Sequence, residues 1–153
     1  MNDRRVIVAA LIPRFFLGII FLLAVLPKLT APTGFSANLG SFLSNMAMHS
    51  APAWYQTFLS SAVMPNLSIF AYAIIVGELV VAVSMILGIG TRVGALVAIF
   101  LNANYMLAKG AALWYPSSND AANIMLALVV FLTSPGLILG IDGWFASGRK
   151  HAG

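Results

Sequence analysis

Four stretches of nearly unbroken apolar residues dominate the hydropathy pattern of this chain. They cover residues 6–26, 67–87, 93–107 and 121–139. Each stretch approaches the roughly 20 residues that a tilted helix needs to cross the hydrocarbon core of a bilayer. We therefore predict an all-α fold, in which one membrane domain over residues 1–153 forms a bundle of four transmembrane helices.

The region between the first two spans, residues 28–66, has a different pattern. Its apolar residues recur near i, i+3, i+4 and i+7, as in an amphipathic helix; they are Phe35, Leu39, Phe42, Leu43 and Met46. A second short helix is expected around Trp54, Tyr55 and Phe58. We predict an amphipathic loop that lies at the membrane interface.

Composition supports a membrane location. Of 153 residues, 61% are hydrophobic and only 8% are charged, and the mean hydropathy is +0.97. Soluble domains carry roughly 25% charged residues, so a water-facing surface is not expected here. The chain is predicted to be an integral membrane protein with lipids as neighbours.

Charge and cysteine content narrow the function further. The 8 Lys and Arg residues give a net charge of +4, but they form no basic stripe, so nucleic acid is not predicted as a partner. Cysteine is absent, and no histidine or carboxylate cluster suggests a metal site. No covalently attached cofactor is expected.

Lys and Arg residues near the span ends predict the orientation. One side would carry Arg4, Arg5, Arg92, Arg149 and Lys150, and the other Lys28 and Lys109. This arrangement predicts that both termini lie in the cytoplasm and that residues 28–66 face outward. The first span is interpreted as a retained helix, because it is long and contains Arg14. Aromatic residues at the span ends would form an interfacial belt: Trp114, Tyr115 and Trp144.

Glu78 lies in the middle of the second span, where a carboxylate costs on the order of 2.5–3.5 kcal/mol. Counting about 1.5 Å per residue from the cytoplasmic end gives roughly 13 Å for Arg14 and roughly 18 Å for Glu78. Asn102 and Asn104 of the third span fall near the same level. We therefore expect Arg14 to neutralise Glu78, with an amide completing the hydrogen bonds. Two roles are open: a polar binding site or proton relay, and a clamp that fixes helix register.

Other polar residues support smaller predictions. Lys28, at the outer end of the first span, is expected to extend towards lipid head groups. Asn123, early in the fourth span, lies at a similar outer level, so a pocket shared with Lys28 is a second possibility. Arg92 and Asp142 both lie at the inner face, and two roles are open for Arg92 there: a pair with Asp142, or a topology signal alone.

Three segments together resemble the DoxX family of small four-helix membrane proteins. They are "PRFFLGIIFLLAVLPKL", "GELVVAVSMILGIGTR" and "NIMLALVVFLTSPGLILGID". The residues that carry the resemblance are Arg14, Gly18, Lys28, Glu78, Gly88, Thr91, Arg92, Asn123, Gly136 and Asp142. The family is similar to the small subunit of archaeal thiosulfate:quinone oxidoreductase, so the resemblance implies quinone-linked redox chemistry in a membrane complex. Other members are inner-membrane proteins, so the resemblance also implies an inner (plasma) membrane location.

These observations leave two main hypotheses. The chain is either a membrane subunit that binds quinone or lipid at a buried polar cluster, or a non-catalytic scaffold of a larger respiratory or photosynthetic complex. The candidate binding residues are Arg14, Lys28, Glu78, Asn102 and Asn123. Other membrane subunits are expected as partners, and a small transporter is the weaker third reading. The sequence assigns no catalytic residue and leaves open whether the chain is an enzyme.

Overall fold

The computed structural model describes residues 3–110 and 119–144, and it is all-α over those ranges. The helices are α1 (Asp3–Ala9), α2 (Leu11–Thr30), α3 (Pro32–Phe42), α4 (Met48–Ser50), α5 (Ala53–Phe58), α6 (Leu67–Leu87), α7 (Thr91–Ala108) and α8 (Asp120–Thr133). The described chain also contains two π-helical segments, Leu43–Ala47 and Leu59–Val63, and two 3-10 turns, Met64–Asn66 and Pro135–Leu137. The predictions for Trp114, Tyr115, Arg149 and Lys150 lie outside the described residues.

The four longest helices pack in a ring. Helix α2 contacts α6 and α8, and α7 contacts the same two helices from the other side. The apolar core between them is formed by Leu17, Phe21, Val81, Ala82, Met85, Ala95, Ala98, Leu101, Ala127 and Val130. The small alanines let the helices approach closely, as is common between helices in membranes.

Three helical segments of the described chain are long and apolar enough to cross a membrane: Leu11–Thr30, Ala53–Leu87 and Thr91–Ala108. The fourth predicted span is shorter than expected, because α8 ends at Thr133 rather than near residue 139. Its 14 residues span roughly 21 Å. The helix ends where Ser134 adopts a positive φ of 46° and Pro135 follows. The count of four crossings remains a prediction.

The outward faces of the bundle are apolar. Ile12, Ile69, Phe100 and Leu132 are 66–76% exposed. Apolar side chains in such numbers on an outer surface fit hydrocarbon rather than water. The structure therefore agrees with a membrane protein.

Residues 28–66 are helical rather than a loop. The helices expected around residues 35–46 and 54–58 are both present, and the second continues without a break into α6. This segment packs on the bundle through a second apolar cluster, which comprises Leu43, Ala47, Ala51, Tyr55, Leu59, Val63 and Ala108. Its position at a membrane interface remains a prediction.

Glycines set the distance between α2 and α6 and end α6. A Cβ on Gly18 would lie 2.9 Å from Cγ1 of Ile86, so only glycine allows the observed approach of the two helices. Gly88 follows α6 with a φ of +66°, the left-handed conformation typical of a helix C-terminus. These contacts place Arg14 of α2 beside the last turn of α6.

Candidate functional site

Glu78 is held by side chains from two other helices. Nζ of Lys28 donates to both carboxylate oxygens at 2.6 Å, and the hydroxyl of Tyr105 donates to Oε1 at 2.8 Å. Glu78 is only 2% exposed, whereas the Lys28 side chain is 20% exposed. We call Lys28, Glu78 and Tyr105 the Glu78 site; it joins α2, α6 and α7.

The predicted pairing of Arg14 with Glu78 is wrong. Nε of Arg14 donates to the carbonyl of Met85 at 2.7 Å, and Nη2 donates to that of Ile86 at 3.2 Å. Nη1 donates to the carbonyl of Leu139. We call this set the Arg14 cluster. The last carbonyls of a helix carry partial negative charge, so they stabilise a cation.

The direction of the Cα–Cβ bonds explains the different pairing. Side chains on a helix lean towards its N-terminus. Helices α2 and α6 are antiparallel, because Arg14 lies beside Ile86 and Lys28 beside Glu78. Arg14 therefore leans away from Glu78, while Lys28 and Glu78 lean towards each other. Counting residues along the helices placed Arg14 and Glu78 at similar depths in the membrane, but their side chains point to opposite ends of the bundle.

Lys28 was also expected to extend towards lipid head groups, and that prediction is wrong. Its ammonium group turns inward to Glu78 and lies 4.7 Å from the ring centroid of Phe35. A cation at this distance from an aromatic face is attracted by the ring. Phe35 of α3 thus joins the residues that fix the lysine in place.

A cavity of about 330 Å³ opens beside the Glu78 site. We call it the polar cavity; its lining residues are Lys28, Phe35, Asn38, Leu39, Phe42, Ile74, Glu78 and Tyr105. A lysine has three N–H donors, and two of them are directed at the carboxylate. The polar cavity thus brings a cation, an acid, a phenol and an amide together against an apolar wall.

The two asparagines predicted as binding residues pair with each other. Nδ2 of Asn123 donates to Oδ1 of Asn102 at 3.1 Å, and Nδ2 of Asn102 donates to the carbonyl of Ala98 at 2.8 Å. They link α7 to α8 and do not line the polar cavity. Asn102 therefore does not complete the hydrogen bonds of Glu78, and Asn123 does not share the pocket of Lys28.

The first of the two roles considered for Arg92, a pair with Asp142, is also wrong. Nε of Arg92 donates to Oγ of Ser134 at 2.5 Å. The Asp142 carboxylate instead accepts from the backbone N–H groups of Gly90 and Thr91, at 2.7 Å and 3.1 Å. Gly90 directly precedes α7 and Thr91 is its first residue, and a negative charge is stabilising at the N-terminus of a helix. Asp142 thus fixes the start of α7.

Sequence reasoning missed Tyr105. Its hydroxyl gives Glu78 a third hydrogen bond, and it lies on α7 within one turn of the asparagines that were considered. Tyr105 could have been predicted as a partner of Glu78, because it lies within one turn of those asparagines and a buried phenol usually finds a polar partner. Asn104 was considered for the same role, but its Oδ1 accepts from the hydroxyl of Tyr55 at 3.0 Å.

In the described residues, no group of three or more His, Cys, Asp or Glu side chains comes together. The available chemistry is hydrogen bonding and proton exchange at the Glu78 site. A head group with carbonyl or hydroxyl oxygens fits such a set of donors and acceptors.

Comparison with known proteins identifies the class. The DoxX family model matches residues 9–109, which is most of the chain. The matched region includes α2, α6 and the whole Glu78 site. This small membrane protein therefore belongs to the DoxX family. Of the three segments that resemble the DoxX family, the first two lie within the matched region. The third, which begins at Asn123, lies beyond it. No curated protein and no solved structure matches significantly.

Proposed function

We propose that this protein is a membrane subunit associated with quinone-linked redox chemistry and that the polar cavity binds the head group of a quinone. The observation that carries the proposal is the convergence of Lys28, Glu78 and Tyr105 on one cavity within a bundle of apolar helices. The DoxX membership supports the redox context.

The donor set fits a quinone. Its ring carbonyls accept hydrogen bonds, and Lys28 and Asn38 both line the cavity with N–H donors. The ring fits against the apolar wall formed by Phe35, Phe42 and Ile74. The site has therefore both the polar and the apolar features that such a head group needs.

Glu78 has the position of a proton carrier. A quinone takes up protons together with electrons when it is reduced, and a carboxylate beside its oxygens exchanges protons with it. The Lys28 ammonium group and the Tyr105 hydroxyl orient that carboxylate. The electrons pass to or from a redox partner, which makes the chain a subunit rather than a complete enzyme in this proposal.

The proposal includes the orientation of the helix bundle in the membrane. Arg5 and Arg92 belong to the end of the bundle that contains Arg14, whereas Lys28 and Lys109 belong to the other end. Under the positive-inside rule this supports cytoplasmic termini, and the DoxX membership supports an inner (plasma) membrane location. The Glu78 site would then be reached from the outer half of the bilayer.

Affinity for a ubiquinol analogue, whose hydroxyl groups can donate to the Glu78 carboxylate, tests the proposal. Glu78→Gln removes that charged acceptor, and we expect it to weaken binding at least tenfold, since a hydrogen bond to a charged group contributes about 1.5–3 kcal/mol. Asp120→Asn is the matched control, because Asp120 pairs with Lys109 at 2.8 Å outside the polar cavity. Equal affinities in Glu78→Gln and the wild type would refute binding at this site.

A scaffold is the second candidate function, and one observation favours it. In the described residues, every buried side-chain nitrogen and oxygen has a hydrogen-bond partner within the chain. A protein whose polar groups only stabilise its own bundle would show this pattern. Purification in mild detergent decides between the two: other membrane subunits at fixed stoichiometry and no quinone would favour the scaffold.

A further inference from the structure

A second cavity lies directly behind the Glu78 site. It has a volume of about 240 Å³ and is more enclosed than the polar cavity. We call it the apolar cavity; it is lined by Leu39, Phe42, Leu43, Tyr55, Phe58, Leu59, Val63, Phe70, Ala73, Ile74, Phe100, Leu101, Asn104, Tyr105 and Ala108. We propose that it binds the apolar chain of the ligand whose head group occupies the polar cavity. This inference rests on the proposed function and makes the ligand a quinone with an isoprenoid or alkyl tail.

The two cavities are adjacent. Leu39, Phe42, Ile74 and Tyr105 line both of them. Tyr105 stands between the two, since its hydroxyl donates to Glu78 and its ring belongs to the apolar wall. A molecule with a polar head and an apolar chain would place one part on each side of this residue.

The polar atoms in the apolar cavity are directed at one another. The hydroxyl of Tyr55 donates to Oδ1 of Asn104 at 3.0 Å, and Nδ2 of Asn104 donates to the carbonyl of Phe100 at 2.8 Å. The wall therefore offers mainly carbon to an occupant, which suits a hydrocarbon chain and disfavours a second polar head group.

The size of the apolar cavity fits part of a ligand. Complete small molecules occupy sites of roughly 300–1,000 Å³, and about 240 Å³ is below that range. On the continuous helical segment Ala53–Leu87, the residues that line the cavity include Val63 and Ile74. The distance between these two along the helix is roughly 16 Å at 1.5 Å per residue. An elongated space of this volume accommodates one chain better than the two chains of a phospholipid.

Both π-helical segments border the apolar cavity. Leu43 belongs to the first, Leu43–Ala47, and Leu59 and Val63 belong to the second, Leu59–Val63. Single π-helical turns are rare and are found frequently at functional sites, because the extra residue redirects the side chains around it. Here the redirected side chains form the wall of the cavity.

Filling the apolar cavity tests the inference. Ala73 lines this cavity and is exposed, so Ala73→Trp adds bulk there without overpacking the core. Val76→Trp is the matched control, because Val76 lies on the same helix, is 58% exposed and lines neither cavity. Each protein is purified in mild detergent, and the apolar molecules that it retains are extracted and quantified by mass spectrometry.

We expect the wild type and Val76→Trp to retain a long-chain quinone within twofold of each other, and Ala73→Trp to retain at most a tenth as much. A retained quinone that Ala73→Trp does not reduce would overturn the tail site and leave the proposed function standing. A retained single-chain molecule without a quinone head group, lost only in Ala73→Trp, would support the apolar site and overturn the quinone assignment.

If the purified wild type retains nothing, titration with two ubiquinone analogues replaces the extraction. One analogue has no side chain and the other has two isoprene units. We expect the chain to improve affinity at least tenfold in the wild type and in Val76→Trp, but less than threefold in Ala73→Trp, whose affinity for the chainless analogue stays unchanged. Equal chain preference in all three proteins, or no binding of either analogue, would overturn the inference.

Discussion

The two ends of the bundle hold buried charges in different ways. At one end, three backbone carbonyls surround the Arg14 guanidinium, and Arg14 is 1% exposed. At the other end, the Glu78 carboxylate depends on two side chains, and Lys28 remains 20% exposed. The first arrangement uses backbone groups that every sequence supplies, whereas the second requires particular side chains around a cavity.

The two arrangements suit different roles: the Arg14 cluster stabilises the bundle, and the Glu78 site is suited to binding a ligand. The Arg14 cluster joins α2 to the last turn of α6 and to the chain after α8, so its hydrogen bonds hold the bundle together. The Arg14 cluster also borders a cavity of about 420 Å³, but the other lining side chains there are apolar. The Glu78 site presents a cation, an acid and a phenol to its cavity and is the better candidate for a ligand.

Removing the arginine should have the largest effect on stability. Arg14→Met leaves three carbonyls without their donor, and each buried unsatisfied group costs about 1–3 kcal/mol. We expect the free energy of unfolding in detergent to fall by about 3 kcal/mol or more. Arg5→Met, which removes an exposed arginine, is the control and should change it by less than about 0.5 kcal/mol. A loss below 1 kcal/mol for Arg14→Met would contradict the role of the cluster.

Breaking the ion pair should have an asymmetric effect. Lys28→Met leaves a carboxylate that is 2% exposed without its cation, and we expect a loss of about 2–3 kcal/mol. Glu78→Gln should cost less, about 1 kcal/mol, because Lys28 is partly exposed and can be solvated. Equal losses for the two single variants would contradict this difference in burial.

Double-mutant cycles compare the observed pair with the one expected from sequence. Lys28→Met combined with Glu78→Gln should show a coupling energy of at least about 1 kcal/mol. Arg14→Met combined with Glu78→Gln should be additive within about 0.5 kcal/mol, because the two side chains share no partner. Coupling in the second cycle without coupling in the first would contradict the pairing.

Tyr105→Phe should have a moderate effect on stability. It removes one hydrogen bond to Glu78, and we expect a loss of about 1 kcal/mol. The same variant should weaken quinone binding, since the carboxylate loses one of the groups that orient it. Tyr72→Phe is a suitable control, because Tyr72 is 52% exposed. A Tyr105→Phe protein with unchanged stability and affinity would remove the tyrosine from the site.

The smallest effect is expected at the asparagine pair. Asn123→Leu leaves Oδ1 of Asn102 without its donor, and hydrogen bonds between membrane helices contribute about 0.6 kcal/mol on average. Unfolding measurements should show a loss near that value and no change in quinone affinity. A large drop in affinity would place the amides in the binding site after all.

The sequence predicted the helices better than their contacts. The span over residues 67–87 coincides with α6, and its C-terminal end is defined by Gly88 in the left-handed conformation. The fourth span was predicted too long, because an apolar composition continues past Ser134 while the backbone does not. Hydropathy reports an apolar environment and does not report where a helix ends.

The site was predicted only in part. Glu78 and Lys28 were both selected as unusual polar residues, and the structure brings them together. Their pairing was missed because distance along a helix axis says nothing about the direction of each side chain. Tyr105 was missed because only the asparagines of α7 were considered as partners of Glu78. The two cavities were missed because apolar and aromatic residues of the segment 28–66 look like any other membrane-facing residues until they pack on α6 and α7.

The most direct test of the central claim is the stability that a quinone adds to each variant. A ligand that binds the folded state at 100 times its Kd adds about 2.7 kcal/mol. We would measure the shift in Tm caused by a ubiquinol analogue in the wild type, in Glu78→Gln and in Trp144→Ala, which alters the cavity beside Arg14. The account predicts that the shift falls to about half or less in Glu78→Gln and is unchanged in Trp144→Ala. An unchanged shift in Glu78→Gln together with a reduced shift in Trp144→Ala would contradict it and place the ligand at the Arg14 end.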